Sequence, residues 1–257
     1  MFARIVTCEQ RYENARNLRN TISKIKGIDD IKLFPCVFGK TDFWKNGGLS
    51  EMFLNLAKAR RINTHVSLSM TELAISISHE RVLKEFLLSS NEYAIIFEDD
   101  CSMRPHMCTN LEIIVQKIIS NPFRFGIIHL WNSNAANTLK YAKTTEHHFD
   151  LFKESDETEK VFLKKECRPH CPGTVAYIIT RKCAERVIEL NEKIRMPIDN
   201  LMGDALHRTR EFELLTFDTQ DMILDNPMYD NSTQSISDLF ICDDSKITSE
   251  MKHRGFR

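Results

Sequence analysis

The chain has 257 residues, 42% hydrophobic and 28% charged, enough for one large globular domain with a sizeable core. Its 35 Lys and Arg against 36 Asp and Glu give a formal net charge of −1, without the basic footprint of a nucleic-acid-binding protein. Eight cysteines, ten methionines and an N-terminus that reads as a strand rather than a leader set the expectation of a reducing, cytoplasmic setting; no apolar run reaches bilayer length, so any membrane contact is peripheral.

In chain order, "FARIVTC" predicts a buried strand. "ENARNLRNTISKI" places Ala15, Leu18, Ile22 and Ile25 at helical spacing, with Gly27 as the stop. "IKLFPCVFG" predicts a second strand, completing a β-α-β unit with a parallel pair. A short helix is expected from near Ser50, then a longer one over "SLSMTELAISISHERVLKEFLLSS" with Leu73, Ile77, Val82 and Phe86 inward. "YAIIFEDD" has the continuous apolar run of a central parallel strand. A helix over "MCTNLEIIVQKIISN" and a strand over "FGIIHLW" follow. Residues 132–166 are polar, without clear periodicity, and read as a long loop carrying a hairpin. "GTVAYIIT" predicts a strand, "RKCAERVIELNEKI" a helix, "PIDNLMGDALHRT" a second helix opened by Pro197, and "FELLTF" a late strand before a polar tail. The alternation indicates an α/β fold. Neither standard Gly-rich phosphate loop occurs, which argues against a P-loop or dinucleotide fold.

The strand "YAIIF" ends in Glu98, Asp99 and Asp100. Open α/β sheets bind ligands beyond the carboxyl ends of their strands. Hard cations such as Mg²⁺ or Mn²⁺ take oxygen ligands, through one or two carboxylates plus substrate phosphates. The triplet therefore suits a metal-diphosphate complex; alone, it is better read as a solvated turn with Asp capping the next helix.

The segment "MTELAISISHERVLKEFLLSSNEYAIIFEDDCSM" resembles the signature of family 25 glycosyltransferases, which include bacterial lipooligosaccharide galactosyl- and glucosyltransferases and collagen galactosyltransferases. Glu72, Ser78, His79 and the acidic triplet match, with Thr71 where the family has Gly. "GTVAYIITRKCAERVIE" is similar to a second family segment through Gly173, Tyr177, Ile178, Arg181 and Ala184. "MPIDNLM" resembles the Pro-x-Asp segment through Pro197 and Asp199, and "NSTQSISDL" a late Gln/Ser-rich motif. The first strand lacks the family's Ser-Leu pattern with following basic residues, for which "RIVTCEQRYENARNL" stands in.

The resemblance implies a GT-A type fold: a Rossmann-like mixed sheet flanked by helices, with an irregular C-terminal part. It implies one domain over residues 1–257, with 1–131 the nucleotide-sugar and metal half, 132–240 the acceptor half and 241–257 a tail. It also implies a UDP-hexose donor, galactose or glucose, a Mn²⁺ or Mg²⁺ cofactor, a glycan or other hydroxyl acceptor, and inversion at the anomeric carbon. Transfer from a nucleoside diphosphate passes through an oxocarbenium-like state, a metal neutralises charge on the leaving diphosphate, and inversion needs a base on the opposite face.

On this reading Asp100 is the direct metal ligand, Glu98 holds a metal-bound water, Asp99 touches the ribose, and His207 completes the shell or lies on a helix surface. Asp199 is the candidate base or a helix cap, with Asp204 as runner-up. Glu72, Ser78 and His79 line a donor wall or make structural contacts. Gly173 allows close backbone approach to the donor sugar or makes a plain turn. Arg181 pairs with diphosphate or lies exposed, Trp131 stacks on a sugar or packs in the core, and Cys101 is a soft ligand or a small filler. Cys167, His170 and Cys171 lack the fourth ligand and second pair of a zinc site. A catalytically silent glycan- or partner-binding member of the same fold is the alternative function. A nucleotidyltransferase would need a phosphate loop near the N-terminus, which "TCEQRYENAR" does not supply.

Overall fold

A computed structural model describes residues 1–8, 11–37, 70–101, 103, 105–130, 143–152, 158–165 and 173–216. The expected helix near Ser50, Trp131, the Cys167–His170–Cys171 group and the late Gln/Ser-rich motif lie outside the described residues. The strands are β1 (Phe2–Thr7), β2 (Asp30–Pro35), β3 (Tyr93–Glu98), β4 (Ile127–His129), β5 (Lys143–Phe152), β6 (Thr158–Lys165), β7 (Ala176–Thr180) and β8 (Leu214–Thr216). The helices are α1 (Tyr12–Ile22), α2 (Met70–Leu88), α3 (Pro105–Ser120) and α4 (Arg181–Asn191). A last helical run, α5, joins an α turn at Ile198–Asn200, a π-helical turn at Leu201–Ala205 and an α turn at Leu206–Thr209.

The strands form one mixed sheet in the order β2-β1-β3-β7-β4-β8-β6-β5. β1 is parallel to β2 and to β3, as the β-α-β reading expects. β7 runs antiparallel between β3 and β4. The stretch read as a loop with a hairpin holds two antiparallel strands, β5 and β6, longer than that reading expected and joined to the sheet through β8. Backbone pairing carries this addition, and its Lys-, Thr- and Glu-rich sequence gave little apolar alternation to read.

Because side chains alternate along a strand, the sheet feeds two cores. On one face Ala3, Ile5, Ile95, Phe97 and Ile178 pack against Ala15, Leu18 and Ile22 of α1 and Leu111, Ile114 and Ile118 of α3. On the other, Phe2, Val6, Ala94, Ile96 and Tyr177 pack against Val82, Leu83 and Phe86 of α2, Ala184 and Val187 of α4, and Ile198, Met202 and Leu206 of α5. Each fully buried Leu, Ile or Phe contributes about 1.5–3 kcal/mol. The four inward positions expected on α2, Leu73, Ile77, Val82 and Phe86, are all buried. Gly27 ends the first helical segment at φ 89°, and a Cβ there would stand 2.9 Å from Val115 Cγ1 of α3. Sheet and helices together bring the carboxyl end of β3 beside that of β1, with the middle of α2 over it.

Candidate active site

The acidic triplet lies at the carboxyl end of β3, next to the end of β1: Val6 is the register partner of Glu98. The three acids differ in what they touch. Asp99 turns inward, with Oδ2 accepting from the Cys8 N–H at 3.0 Å and Oδ1 from Arg11 Nη1 at 3.3 Å. It is only 7% exposed, and it ties the end of β3 to the turn after β1. Asp100 Oδ2 stands 3.7 Å from the same Arg11 nitrogen. A single guanidinium thus spans two adjacent carboxylates and offsets their repulsion.

Glu98 is held from the other side. Its Oε1 accepts from His79 Nε2 at 3.1 Å and from the Thr174 hydroxyl at 2.5 Å. His79 Nδ1 lies 2.9 Å from the Tyr177 hydroxyl. His79 therefore bridges Glu98 and Tyr177, with a hydrogen bond from Nε2–H to the carboxylate and the tyrosine hydroxyl at Nδ1. Burial, then the Glu98 charge, pushes the Tyr177 phenol well up, so it keeps its proton. Burial would raise the Glu98 carboxyl, but the bond and charge of His79, then the Thr174 bond and the Arg11 charge, outweigh it and hold the group below its ordinary value. The side chain keeps 23% exposure, so Glu98 is an ionised group anchored through one oxygen.

Local sequence explains the placement. His79 sits in α2 beside Ser78, whose hydroxyl donates to Ala74 O and accepts the Val37 N–H, each at 2.7 Å. Ser78 therefore pins the segment after β2 to the helix, the structural contact that was its other expected role. Gly173, at φ 81°, adopts the left-handed conformation a glycine takes most easily. It is followed by Thr174, which reaches Glu98, so the turn role fits this residue. Cys101 is buried, donates to Glu98 O at 3.1 Å, and has its thiol raised by burial and then by the acids. That agrees with a packed filler.

Other candidates lie in different surroundings. Arg181, expected at the diphosphate, is at the opposite end of β3: its N–H donates to Glu92 O, roughly 20 Å of strand from Glu98. Its guanidinium donates to the carbonyls of Leu87, Ser89 and Asn91 and lies 5.2 Å from the Phe86 ring centre. Orphan carbonyls at the end of α2 attract the fork for the same reason a phosphate would. Asp204 forms a two-pronged pair with Arg208 at 2.6 and 2.9 Å, one helical turn on. Asp199 lies in the first turn of α5 and accepts the Asn200 N–H at 2.8 Å. His207 is in the last turn of α5, and Glu72 in the first turn of α2.

Sequence reasoning left out Arg11 and Thr174. The signal for Arg11 was a basic residue just past the first strand. For Thr174 it was a hydroxyl directly after the turn glycine. Beside Tyr177 in the ladder lie His129 and then Thr216, both buried, extending a polar row under the helices.

The donor set around Glu98 and Asp100 is made of carboxylate oxygens, which fits a hard divalent ion. Among the described residues no three His, Cys, Asp or Glu side chains group as a ligand set.

Asp99 supports a prediction of its own. Burial raises its carboxyl above the ordinary 3.8, against the lowering effects of the Cys8 N–H, the Thr7 hydroxyl and Arg11. The folded state therefore holds an extra proton just above the unfolded-state pKa, and stability falls as pH rises through that window. Asp99→Asn is expected to remove this pH-dependent fall, while its amide NH2 faces one of the two donors that Asp99 now accepts, so stability at pH 7 drops rather than rises. Urea titrations of both proteins at pH 3.5 and pH 7 check it; a variant that keeps the same fall between the two pH values would contradict it.

The family model of glycosyltransferase family 25, described as an LPS biosynthesis protein, matches residues 32–202, well over half of the chain. Comparison with curated proteins gave no match. Among solved structures the chain is similar to CMP:2-keto-3-deoxy-manno-octonic acid synthetase complexed with CTP, at 11% identity over 84% of this chain and 88% of that one, TM-score 0.41. It is similar to the inositol-1-phosphate CTP transferase from T. maritima, at 14% identity over 97% and 94%, TM-score 0.39. A UDP-glucose pyrophosphorylase complexed with UDP-glucose aligns at 11% identity over 85% and 90%, TM-score 0.38. At such distances these likenesses say nothing of this chain's substrate. The family match carries the assignment: the chain belongs to glycosyltransferase family 25, and it is a glycosyltransferase.

Proposed function

We propose that the enzyme moves a hexose, galactose or glucose, from a UDP-sugar to a hydroxyl of a glycan acceptor, with inversion, in the assembly of a surface glycan in the cytoplasm. The observation behind this reading is the end of β3, where Glu98 and Asp100 are fixed two residues apart with Arg11 across Asp99 and Asp100. Glu98 and Asp100 would hold a Mn²⁺ or Mg²⁺ ion, which when bound neutralises charge on the leaving diphosphate. Arg11 adds a fixed positive charge on the same side, and its fork suits a phosphate. Thr174 and His79 keep the Glu98 carboxylate in place, so it does not reorganise as charge develops. Asp199 is the proposed base: it lies in the first turn of a helix, and Asp204 is engaged by Arg208. Among the described residues no helix is long and apolar enough to cross a membrane.

A ligand that binds only the folded state raises apparent stability, by about 2.7 kcal/mol at a hundredfold excess over its dissociation constant. The melting temperature is therefore expected to rise with UDP-galactose or UDP-glucose in the presence of Mn²⁺, and less without the ion. No shift with any nucleotide sugar, together with no donor hydrolysis, would overturn the donor reading.

A further inference from the structure

Next to the acids lies a pair of side chains that the transfer reaction does not use. β1 and β2 are parallel neighbours with Thr7 and Pro35 as register partners. One residue further on come Cys8 and Cys36, and the Cys36 N–H donates to Thr7 O at 2.9 Å. Adjacent strands lie about 4.8 Å apart, within the roughly 4.4–6.8 Å of Cα separation that a disulfide spans. Both thiols are free and partly exposed.

We propose that Cys8 and Cys36 form a reversible dithiol–disulfide couple that takes hydrogen peroxide as its oxidant and, when closed, weakens the acid site beside it. Cys8 is the attacking sulfur. The Cys36 S–H bond, opposed by burial and Asp99 and aided by Arg11, lowers its thiol to about 7, while that of Cys36 is raised. An attacking thiol with a pKa near ambient pH reacts fastest. The buried Cys101 and Cys183 thiols are both raised and stay inert.

The chemistry balances. The Cys8 thiolate attacks one peroxide oxygen, the O–O bond breaks, and hydroxide leaves and takes up a proton as water. Cys36 sulfur then attacks the Cys8 sulfenic acid: the S–S bond forms, the S–O bond breaks, and the second water carries away the Cys36 proton. Two electrons pass from the thiols to the peroxide, and a thiol reductant restores the pair.

The link to the acids runs through the backbone. The Cys8 N–H holds Asp99 Oδ2 at 3.0 Å, and the Arg11 N–H donates to Cys8 O at 3.1 Å. Drawing the sulfurs in to about 2.05 Å shifts the Cys8 peptide, and with it the Asp99–Arg11–Asp100 group. Only this effect on binding rests on the donor reading above.

The test uses the full, reduced chain treated with one equivalent of hydrogen peroxide, alkylated with iodoacetamide and mapped by mass spectrometry. The expected result is a Cys8–Cys36 cross-linked peptide about 2 Da lighter than the two free ones, reversed by dithiothreitol and absent from C8S and C36S. UDP binding with Mn²⁺, measured by calorimetry, is expected to weaken about tenfold in the oxidised protein and to recover on reduction. Full alkylation of both cysteines after peroxide, arrest at a sulfinic acid, or a cross-link to another cysteine would overturn the couple. Equal UDP affinity of the two forms would overturn the coupling. If the reduced protein binds no UDP, the donor reading fails, and the cross-link alone decides the couple.

Discussion

Asp100→Ala is expected to slow sugar transfer by about 10²–10³-fold, the usual cost of removing one preorganised charge from a transition state, with at most about 1 kcal/mol lost in stability. The asymmetry follows from its surroundings. Its partner Arg11 stands 3.7 Å away, longer than the roughly 2.7–2.9 Å of a strong charge-assisted hydrogen bond, so little pairing energy is lost with it. Neighbouring Asp99 holds Arg11 more closely, at 3.3 Å, so the guanidinium keeps a partner in the variant. Transfer rates, Mn²⁺ titrations in the presence of UDP, and urea unfolding separate the two effects. If turnover and metal affinity match the parent, Asp100 is not in the machinery.

Arg181→Ala should do the reverse, costing about 3 kcal/mol of stability with UDP-sugar affinity unchanged. Its fork donates to three carbonyls, Leu87 O, Ser89 O and Asn91 O, where α2 hands over to β3. Hydrogen bonds from a charged donor contribute about 1.5–3 kcal/mol each in favourable settings. Partial exposure and re-solvation of the carbonyls bring the sum down. For a chain of this size the loss appears as a melting temperature roughly 6–12 °C lower. Arg181→Lys is expected to recover little of it, since a single ammonium cannot bridge three divergent acceptors. Tenfold weaker donor binding in a fully folded Arg181→Ala protein would return the residue to the diphosphate.

These two residues mark where sequence was readable and where it was not. The apolar run "YAIIF" named a central strand, and "FARIVT", Arg4 and Thr7 apart, a buried one, because a strand buried on both faces is close to apolar throughout. The acids directly after "YAIIF" were legible as a strand-end cluster for the same reason. What each acid touches was not legible, because it depends on chain segments far apart in sequence: Cys8 and Arg11 for Asp99, Thr174 and His79 for Glu98. Arg181 was ambiguous because phosphate oxygens and helix-end carbonyls look alike to a guanidinium. The direction of β7 was also hidden, since "AYIIT" is equally apolar read as a parallel or an antiparallel strand.

The seating of β7 between β3 and β4 also has a consequence for how the chain is made. β3 reaches its last residue at Glu98, yet its second neighbour ends only at Thr180. At about 5–20 residues per second of synthesis, the wholly apolar edge of Tyr93–Phe97 waits roughly 4–16 s with its N–H and C=O groups unpaired. Exposed edges of that kind recruit other chains. The same strand that completes the catalytic end by bringing in Tyr177 is therefore the one that covers this apolar edge, so a nascent chain stalled before residue 176 is expected to be sticky as well as inactive.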